Sequence, residues 1–370
     1  MTAPAAASPH LCLLGDATSP HIQRWAREMR ARGWRVSLVT ARPAPIDGVH
    51  QQVLRPVRRS AQWLLRAGVA RRAIAALAPD IVHAHYTTSY GYLGARAGRH
   101  PLVMTAWGSD LLVTPHASPW MRWLTAWTLR CADLITGDSQ SLVDAAHSHQ
   151  PTAPVHCIHW GVELERFAPV PWQGKPGFEI VSLRSWEPNY NIPTLIDAVA
   201  QLHRAQPHLP LHLHLLGGGS MEAPLRAQVA AQGLQALVSF HGRQDDAGMA
   251  RVLARCKVSV SVPTQDATSV SVLESMACGL PVVATQLQAN TQWLEPRWLV
   301  PARDSTALAH ALAQLAQDDA AAQATGQRNA ALMQREGDRR LQMDRMDALY
   351  RELLQARAAA RHQNSSKIGR

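Results

Sequence analysis

The sequence predicts an α/β protein of two doubly wound, Rossmann-like domains facing across a cleft. Three observations carry this prediction. The chain has 370 residues, the length of about two ordinary domains. Short runs rich in Val, Ile and Leu alternate with longer helical segments, which is the pattern of a parallel sheet covered on both faces. The series also runs twice, and between the two runs lies FAPVPWQGKPG, residues 167–177, whose prolines and glycines continue neither strand nor helix.

In the first half the spacing predicts strands at residues 10–14, 35–40, 80–83, 102–105, 134–136 and 155–158. In the second half it predicts them at 179–183, 211–216, 238–240, 258–262, 282–284 and 298–300. Helices are expected between them, among others at 22–32, 120–131, 193–204, 221–232 and 272–278. The expected domains are residues 1–170 and 178–330. Residues 331–357 carry a terminal helix with apolar positions Leu341, Met343, Met346, Leu349, Leu353 and Leu354, expected to pack back toward the N-terminal domain. The polar residues 358–370 read as a disordered tail.

Composition narrows the classes. Hydrophobic residues make up 46% and charged residues 17%, enough apolar material for large cores. No apolar run approaches the roughly 20 residues of a membrane-spanning helix, and the first residues lack the pattern of a secretory signal. Five scattered cysteines, with neither metal-knuckle nor redox spacing, fit reduced thiols in the cytosol. The net charge of +10 is uneven: residues 1–177 hold 18 Lys+Arg against 10 Asp+Glu. That half is expected to face an anionic partner. No nucleic-acid-binding module accompanies the charge, so nucleic acid is not expected.

Ligands of open parallel sheets bind at the carboxyl ends of the strands. There the most informative segment is VSVPTQDATSVSVLESMACGLPVVAT, residues 260–285. Asp266 follows a strand; Thr268, Ser269, Val270 and Ser271 lead into an apolar helix carrying Glu274. The exposed amides of a helix start can hold phosphate. Ser271 and Glu274 also have the spacing of a capping box.

This segment resembles the donor-site signature of the retaining family-4 glycosyltransferases: an acid, seven residues, a Glu, then Ser-Met-Ala-x-Gly-x-Pro-Val-Val. Here the acid is Asp266 where the family usually has Glu. The resemblance runs along nearly the whole chain, through LLGDATSPHIQRWAREMRARGWRVSLVT, PDIVHAHY, PLVMTAWGSDLL, ADLITGDSQSL, CIHWGVELERFAP, SLRSWEPNYNIPTLIDAV, LHLLGGG and SFHGRQDD in the family's order. It implies the GT-B architecture and transfer of a sugar from a nucleotide-diphosphate sugar, UDP-linked by preference, to a hydroxyl acceptor with anomeric retention. The acceptor it implies is a surface glycan, in some cases lipid-linked.

The resemblance also implies roles. Glu274 binds ribose hydroxyls, Asp266 the donor sugar, and the amides of Ser269, Val270 and Ser271 the diphosphate. Arg184 neutralises the leaving diphosphate. Gly217, Gly242 and Arg243 lie on the donor side, the last two near the base, and Gly15 lets the first loop approach phosphate. No metal is expected. Two positions depart from the family. Tyr190 stands where a phosphate-binding lysine is common, and Trp107 stands where many members have His, so no catalytic His can be assigned.

Other residues have two readings each. Asp110 contacts the acceptor or caps a turn. His21 meets the acceptor or starts a helix. Trp107 falls on the acceptor side. His83 and His85 are metal ligands or a packed pair. LLGGGS, residues 215–220, is a phosphate loop or a plain turn. Trp120, Trp123, Leu124, Trp127 and Cys131 form a helical stripe, either core or a face on anionic lipid; the second reading places the protein peripherally on the inner face of the cell membrane. A nucleotide-sugar epimerase and a non-catalytic nucleotide-sugar-binding protein are the alternative functions.

Overall fold

The computed structural model describes residues 8–58 and 60–368. The chain divides into two compact units. The first runs to His159 and takes in the chain from Gln342 onward; the second is Trp160–Leu341.

The N-terminal unit is built on a parallel sheet of seven strands in the order β3-β2-β1-β4-β5-β6-β7. They are β1 His10–Leu14, β2 Arg35–Thr40, β3 His50–Val53, β4 Ile81–His85, β5 Leu102–Ala106, β6 Leu134–Gly137 and β7 Val155–Cys157. The central strands are buried throughout, as sheets covered on both faces require. β3 was not expected: its sequence HQQV is exposed or half-buried at the sheet edge and carries neither an apolar run nor an alternation.

The second unit holds a six-stranded parallel sheet in the order β10-β9-β8-β11-β12-β13. Its strands are β8 Phe178–Ser182, β9 Leu211–Leu216, β10 Val238–Gly242, β11 Val258–Ser261, β12 Val282–Thr285 and β13 Leu299–Val300. Both sheets place the first strand of each unit, β1 and β8, centrally, with strands added outward on either side. That order creates a switch point at the carboxyl edge.

The division between units falls before residues 167–177, and the reason is local. Val162 N donates to Gly337 O at 2.7 Å and Arg339 N to Val162 O at 3.0 Å, so the chain after Trp160 is stitched to residues 337–339. Gly161 has φ +66°, and a Cβ there would sit 2.5 Å from Arg339 Cα; only glycine fits that approach.

The last helix spans Arg339–Ile368. The expected disordered tail from residue 358 is therefore corrected: the helix continues to Ile368, and Ala-rich, Pro-free residues 356–361 give it no stop signal. From Gln342 onward the helix belongs to the N-terminal unit. Tyr350 is fully buried there and accepts a hydrogen bond from Trp25 Nε1 at 3.1 Å, and Trp34 Nε1 donates to Asp347 at 2.6 Å.

Candidate active site

In the second unit the donor signature folds around one arginine. Arg184 follows β8 and is 8% exposed. Its Nη2 donates to Asp266 Oδ2 at 2.6 Å and its Nη1 to Ser271 Oγ at 3.1 Å and to Ser269 Oγ. The Tyr190 ring lies 4.3 Å from the guanidinium carbon, a cation–π contact that fixes the plane of the fork. Arg184 Nε is buried and has no protein partner among the described residues. Burial raises the Asp266 carboxyl above its usual range, with Arg184 opposing the rise by its charge and hydrogen bond.

The helix that follows is Val270–Ala277. Ser269 is its N-cap residue but makes no side-chain capping bond, and Ser269 and Ser271 hydroxyls share a 2.8 Å contact beside Arg184. Ser271 is not in the N-cap position that the capping-box reading needs, because the helix begins at Val270 with Ser269 as its N-cap residue. Thr268 and Glu274 are buried, at 7% and 4% exposed, before the helix and one turn inside it. The helix ends in a Schellman turn: Leu280 N reaches Ser275 O and Gly279 N reaches Met276 O, with Gly279 at φ +71°. Gly279 thereby has a structural role.

Three segments complete this edge. Gly217 N donates to Gly242 O at 2.9 Å, and a Cβ on Gly217 would lie 2.4 Å from Arg184 O. The LLGGGS segment is accordingly a turn packed on the backbone of residues 184–186, not an open phosphate loop. Gly242 has φ +68°, and exposed Arg243 lies over Gly218. The Asn189 backbone and side chain bind Thr264 and Gln265 at 2.8–2.9 Å, which ties the Tyr190 turn to the Asp266 loop.

The N-terminal unit has its own cavity, about 950 Å³ in volume, at the carboxyl edge of its sheet. His85, at the end of β4, and Asp16, Arg42, Tyr86 and Trp107, which follow strands, are among its lining residues, with Trp63 and Trp120. Trp107 Nε1 donates to His85 Nδ1 at 3.3 Å, and the Trp107 and His21 rings meet edge to face at 5.5 Å. These two sequence-predicted acceptor residues are therefore neighbours. Tyr86 holds φ +76°, a strained conformation for a bulky residue of the kind that collects at functional sites.

Asp110 requires a correction. It is fully buried, and its two oxygens accept from Trp107 N, Gly108 N, Thr87 N and Thr87 Oγ1 at 2.7–3.0 Å. It clamps the loop that presents Trp107 and cannot itself reach an acceptor. Gly15 makes room for Ile22: a Cβ would sit 2.5 Å from Ile22 Cδ1. His83 bonds Tyr350 Oη at 2.5 Å and Thr105 Oγ1 at 2.7 Å, so both ring nitrogens are occupied and the metal reading of His83 and His85 fails. The stripe from Trp120 to Cys131 is split: Leu124 is buried, while Trp120 and Trp123 are exposed and stacked at 4.9 Å. Asp16, Trp63 and Tyr86 were not legible as site residues because they come from separate segments.

Comparisons with known proteins agree with this architecture. Residues 10–141 match a family described as glycosyl transferase 4-like, and residues 178–318 match glycosyl transferases group 1. EpsD of Bacillus subtilis (strain 168), named as a glycosyltransferase, is 28% identical over 322 residues, covering 79% of this chain and 82% of its own length. Among solved structures, sucrose-phosphate synthase from Thermosynechococcus elongatus superposes with a TM-score of 0.79 at 19% identity, over 94% of this chain and all of its own. Anabaena HepE in complex with UDP superposes with a TM-score of 0.78 at 18% identity, over 93% of this chain and all of its own; it is also solved with UDP-glucose. The fold and the paired family matches make this chain a glycosyltransferase of the two-domain GT-B class. More particularly, it belongs to the family-4 glycosyltransferases. No described helix is long and apolar enough to cross a membrane.

Proposed function

We propose that the enzyme transfers a sugar from a UDP-sugar to a hydroxyl of a growing glycan, with retention at the anomeric carbon. The observation that carries this reading is the cluster of Arg184, Asp266, Ser269 and Ser271 at the start of the helix Val270–Ala277. Guanidinium donors, two hydroxyls and a helix N-terminus converge there, and together they suit a diphosphate.

In this reading Glu274 accepts hydrogen bonds from the ribose hydroxyls and Asp266 from the donor sugar. The Ser269, Val270 and Ser271 amides, with Thr268 beside them, meet the phosphates. Gly217 and the main chain of Gly242 and Arg243 border the base. The anomeric carbon–oxygen bond breaks with its electron pair passing to the β-phosphate, and Arg184 stabilises that charge without a metal. The acceptor hydroxyl attacks from the same face, and its proton passes to the leaving phosphate oxygen. His21 and Trp107 stand on the acceptor side, Asp110 holds Trp107 in place, and Gly15 keeps the first loop close. Work of this kind on a UDP-sugar belongs in the cytosol.

The test is a donor screen by thermal unfolding, followed by product analysis. A UDP-sugar should raise the unfolding temperature, because a ligand of the folded state stabilises it, and turnover should require an acceptor and yield a product of unchanged anomeric configuration. An inverted product would remove the retaining assignment. Conversion of the donor with no acceptor present, to an epimeric nucleotide sugar, would remove transferase activity from this site.

A further inference from the structure

Among the described residues of the second unit, Glu179, His214 and Cys256 bring together three ligand-type atoms that all lie within 4.8 Å of one another. The three residues are buried, at 7%, 4% and 0% exposed. Their order along the chain shows no metal-site spacing, because each comes from a different element. Glu179 is the second residue of β8, His214 lies in β9, and Cys256 caps the carboxyl end of the helix Asp246–Arg255 ahead of β11. The cluster therefore sits toward the amino ends of β8 and β11, away from the carboxyl edge that holds Arg184, and takes no part in the donor site.

Protons hold this cluster together. His214 Nε2 meets Glu179 Oε2 at 2.9 Å; a carboxylate only accepts, so that nitrogen carries the proton of the neutral ring. His214 Nδ1 then accepts from His241 Nε2 at 2.9 Å. The Cys256 thiol donates to Val252 O at 3.2 Å. Arg255 covers the outer side of Glu179, with Nε at 2.6 Å and Nη2 at 2.8 Å from the carboxylate. Its side chain is 53% exposed, so it can swing off and open the cluster to solvent. Thiolate, imidazole and carboxylate together are a donor set that zinc takes. Tetrahedral zinc, with bonds of about 2.0–2.3 Å, spaces its donors about 3.3–3.8 Å apart, so the three atoms need only small shifts to close on an ion.

We propose that Glu179, His214 and Cys256 form a structural zinc site that ties the end of the helix Asp246–Arg255 to β8 and β9, with the fourth position taken by water on the side that Arg255 covers. The Cys256 thiol gives its proton to solvent and forms the zinc–sulfur bond. His214 passes to the tautomer with its proton on Nδ1, binds through the Nε2 lone pair and donates to His241 Nε2; His241, half-buried, carries its own proton on Nδ1. One Glu179 oxygen completes the protein ligands. One proton is released and no electron changes hands. His241 orients the ligating ring from behind. Arg255 competes with the ion, because its charge repels a dication and its fork occupies the carboxylate.

The test titrates the full chain, stripped with a chelator, with cobalt(II), whose bond to a thiolate gives a charge-transfer band in the near ultraviolet; zinc is then added. The band should rise to one cobalt per chain and vanish as zinc displaces it, and zinc alone should raise the unfolding temperature. Cys256→Ser and His214→Gln should each abolish both signals. Cys157→Ser, at the thiol whose sulfur lies 3.7 Å from His159 Nε2, should change neither. Arg255→Gln should tighten cobalt about tenfold, the order expected when a positive charge beside a partly exposed ion is removed. That position is exposed, so this variant keeps the test decisive even if the buried ones do not fold. No band in wild type, a band that survives Cys256→Ser or is lost in Cys157→Ser, or cobalt binding unchanged or weaker in Arg255→Gln would overturn the site and leave an ion pair with a buried thiol beside it. The donor site stands or falls separately, on UDP binding to the same protein.

Discussion

Arg184 serves three oxygen partners and one ring face, and this crowding explains an otherwise puzzling pair of family departures. The shorter Asp266 still reaches the guanidinium at 2.6 Å. Tyr190, in the place of a common lysine, supports the arginine with its face. In the proposed donor site Arg184 would carry the leaving-group charge without a second cation from that position. Arg184→Ala should lower kcat about 100-fold or more, the range for losing one transition-state donor, and Arg184→Lys should recover part of it, because an ammonium lacks the fork. Steady-state kinetics with the correct donor will show it, and near-wild-type kcat for the alanine variant would move the diphosphate elsewhere. Tyr190→Lys should leave kcat unchanged or mildly raised, since a lysine there adds a second cation for the diphosphate and offsets the lost cation–π contact. Buried histidines make a pH prediction. His83 and His85 are held neutral by burial, whereas unfolded histidine protonates near 6.5. The unfolded chain therefore binds more protons below that point. Stability is complete above about pH 6.5 and falls as pH drops toward the folded value of about 3 at His85, by about 1.4 kcal/mol per pH unit for each histidine. Unfolding temperatures across pH 4–7 should slope less in His85→Gln than in wild type; equal slopes would mean that His85 does not titrate in this way.

Packing between the helix Val270–Ala277 and the helix Asp319–Leu332 fixes the donor edge from behind. Asn329 Nδ2 donates to Leu280 O at 2.8 Å, and a Cβ on Gly326 would lie 1.9 Å from Gly279 O. Neither atom belongs to a flexible side chain, so the two helices would have to part. Gly326→Ala should cost about 1–3 kcal/mol, whereas Gly174→Ala, with nothing within 4 Å, should change stability by about 0.5 kcal/mol or less. Thermal unfolding of the two variants compares them directly, and equal unfolding temperatures would refute the packing argument. The elements were legible where burial writes itself into sequence. β5 (LVMTA) and β12 (VVAT) are nearly continuous apolar runs, β1, β4 and β8 are apolar apart from His10, His83, His85, Glu179 and Ser182, and the donor signature is contiguous, so all of these stood out. β3 was hidden because an exposed edge strand needs no apolar residues. The Schellman turn at Gly279 was hidden because a terminating glycine and a catalytic-motif glycine look alike until the hydrogen bonds are seen. The cavity of the N-terminal unit was hidden because its walls come from residues 16, 42, 63, 85, 107 and 120, which no local pattern joins.

For the molecule as a whole, the excess positive charge lies in the first 177 residues, most of which share a unit with the exposed Trp120–Trp123 pair and the exposed Arg122 and Arg130. If this face meets an anionic membrane surface, the protein should float with acidic liposomes at low salt and leave them at high salt, because exposed charges are screened within about 10 Å at 0.1 M. Absence from acidic liposomes at low salt would contradict it. The central claim concerns the other unit: a glycosyltransferase whose nucleotide sits on the edge formed by Arg184, Asp266, Ser271 and Glu274. Calorimetric titration of UDP into wild type and into folded Glu274→Ala tests that claim most directly. The account predicts that wild type binds and that the variant binds more weakly by about 1–3 kcal/mol, the worth of hydrogen bonds to a charged group; equal affinity in the two proteins would contradict it.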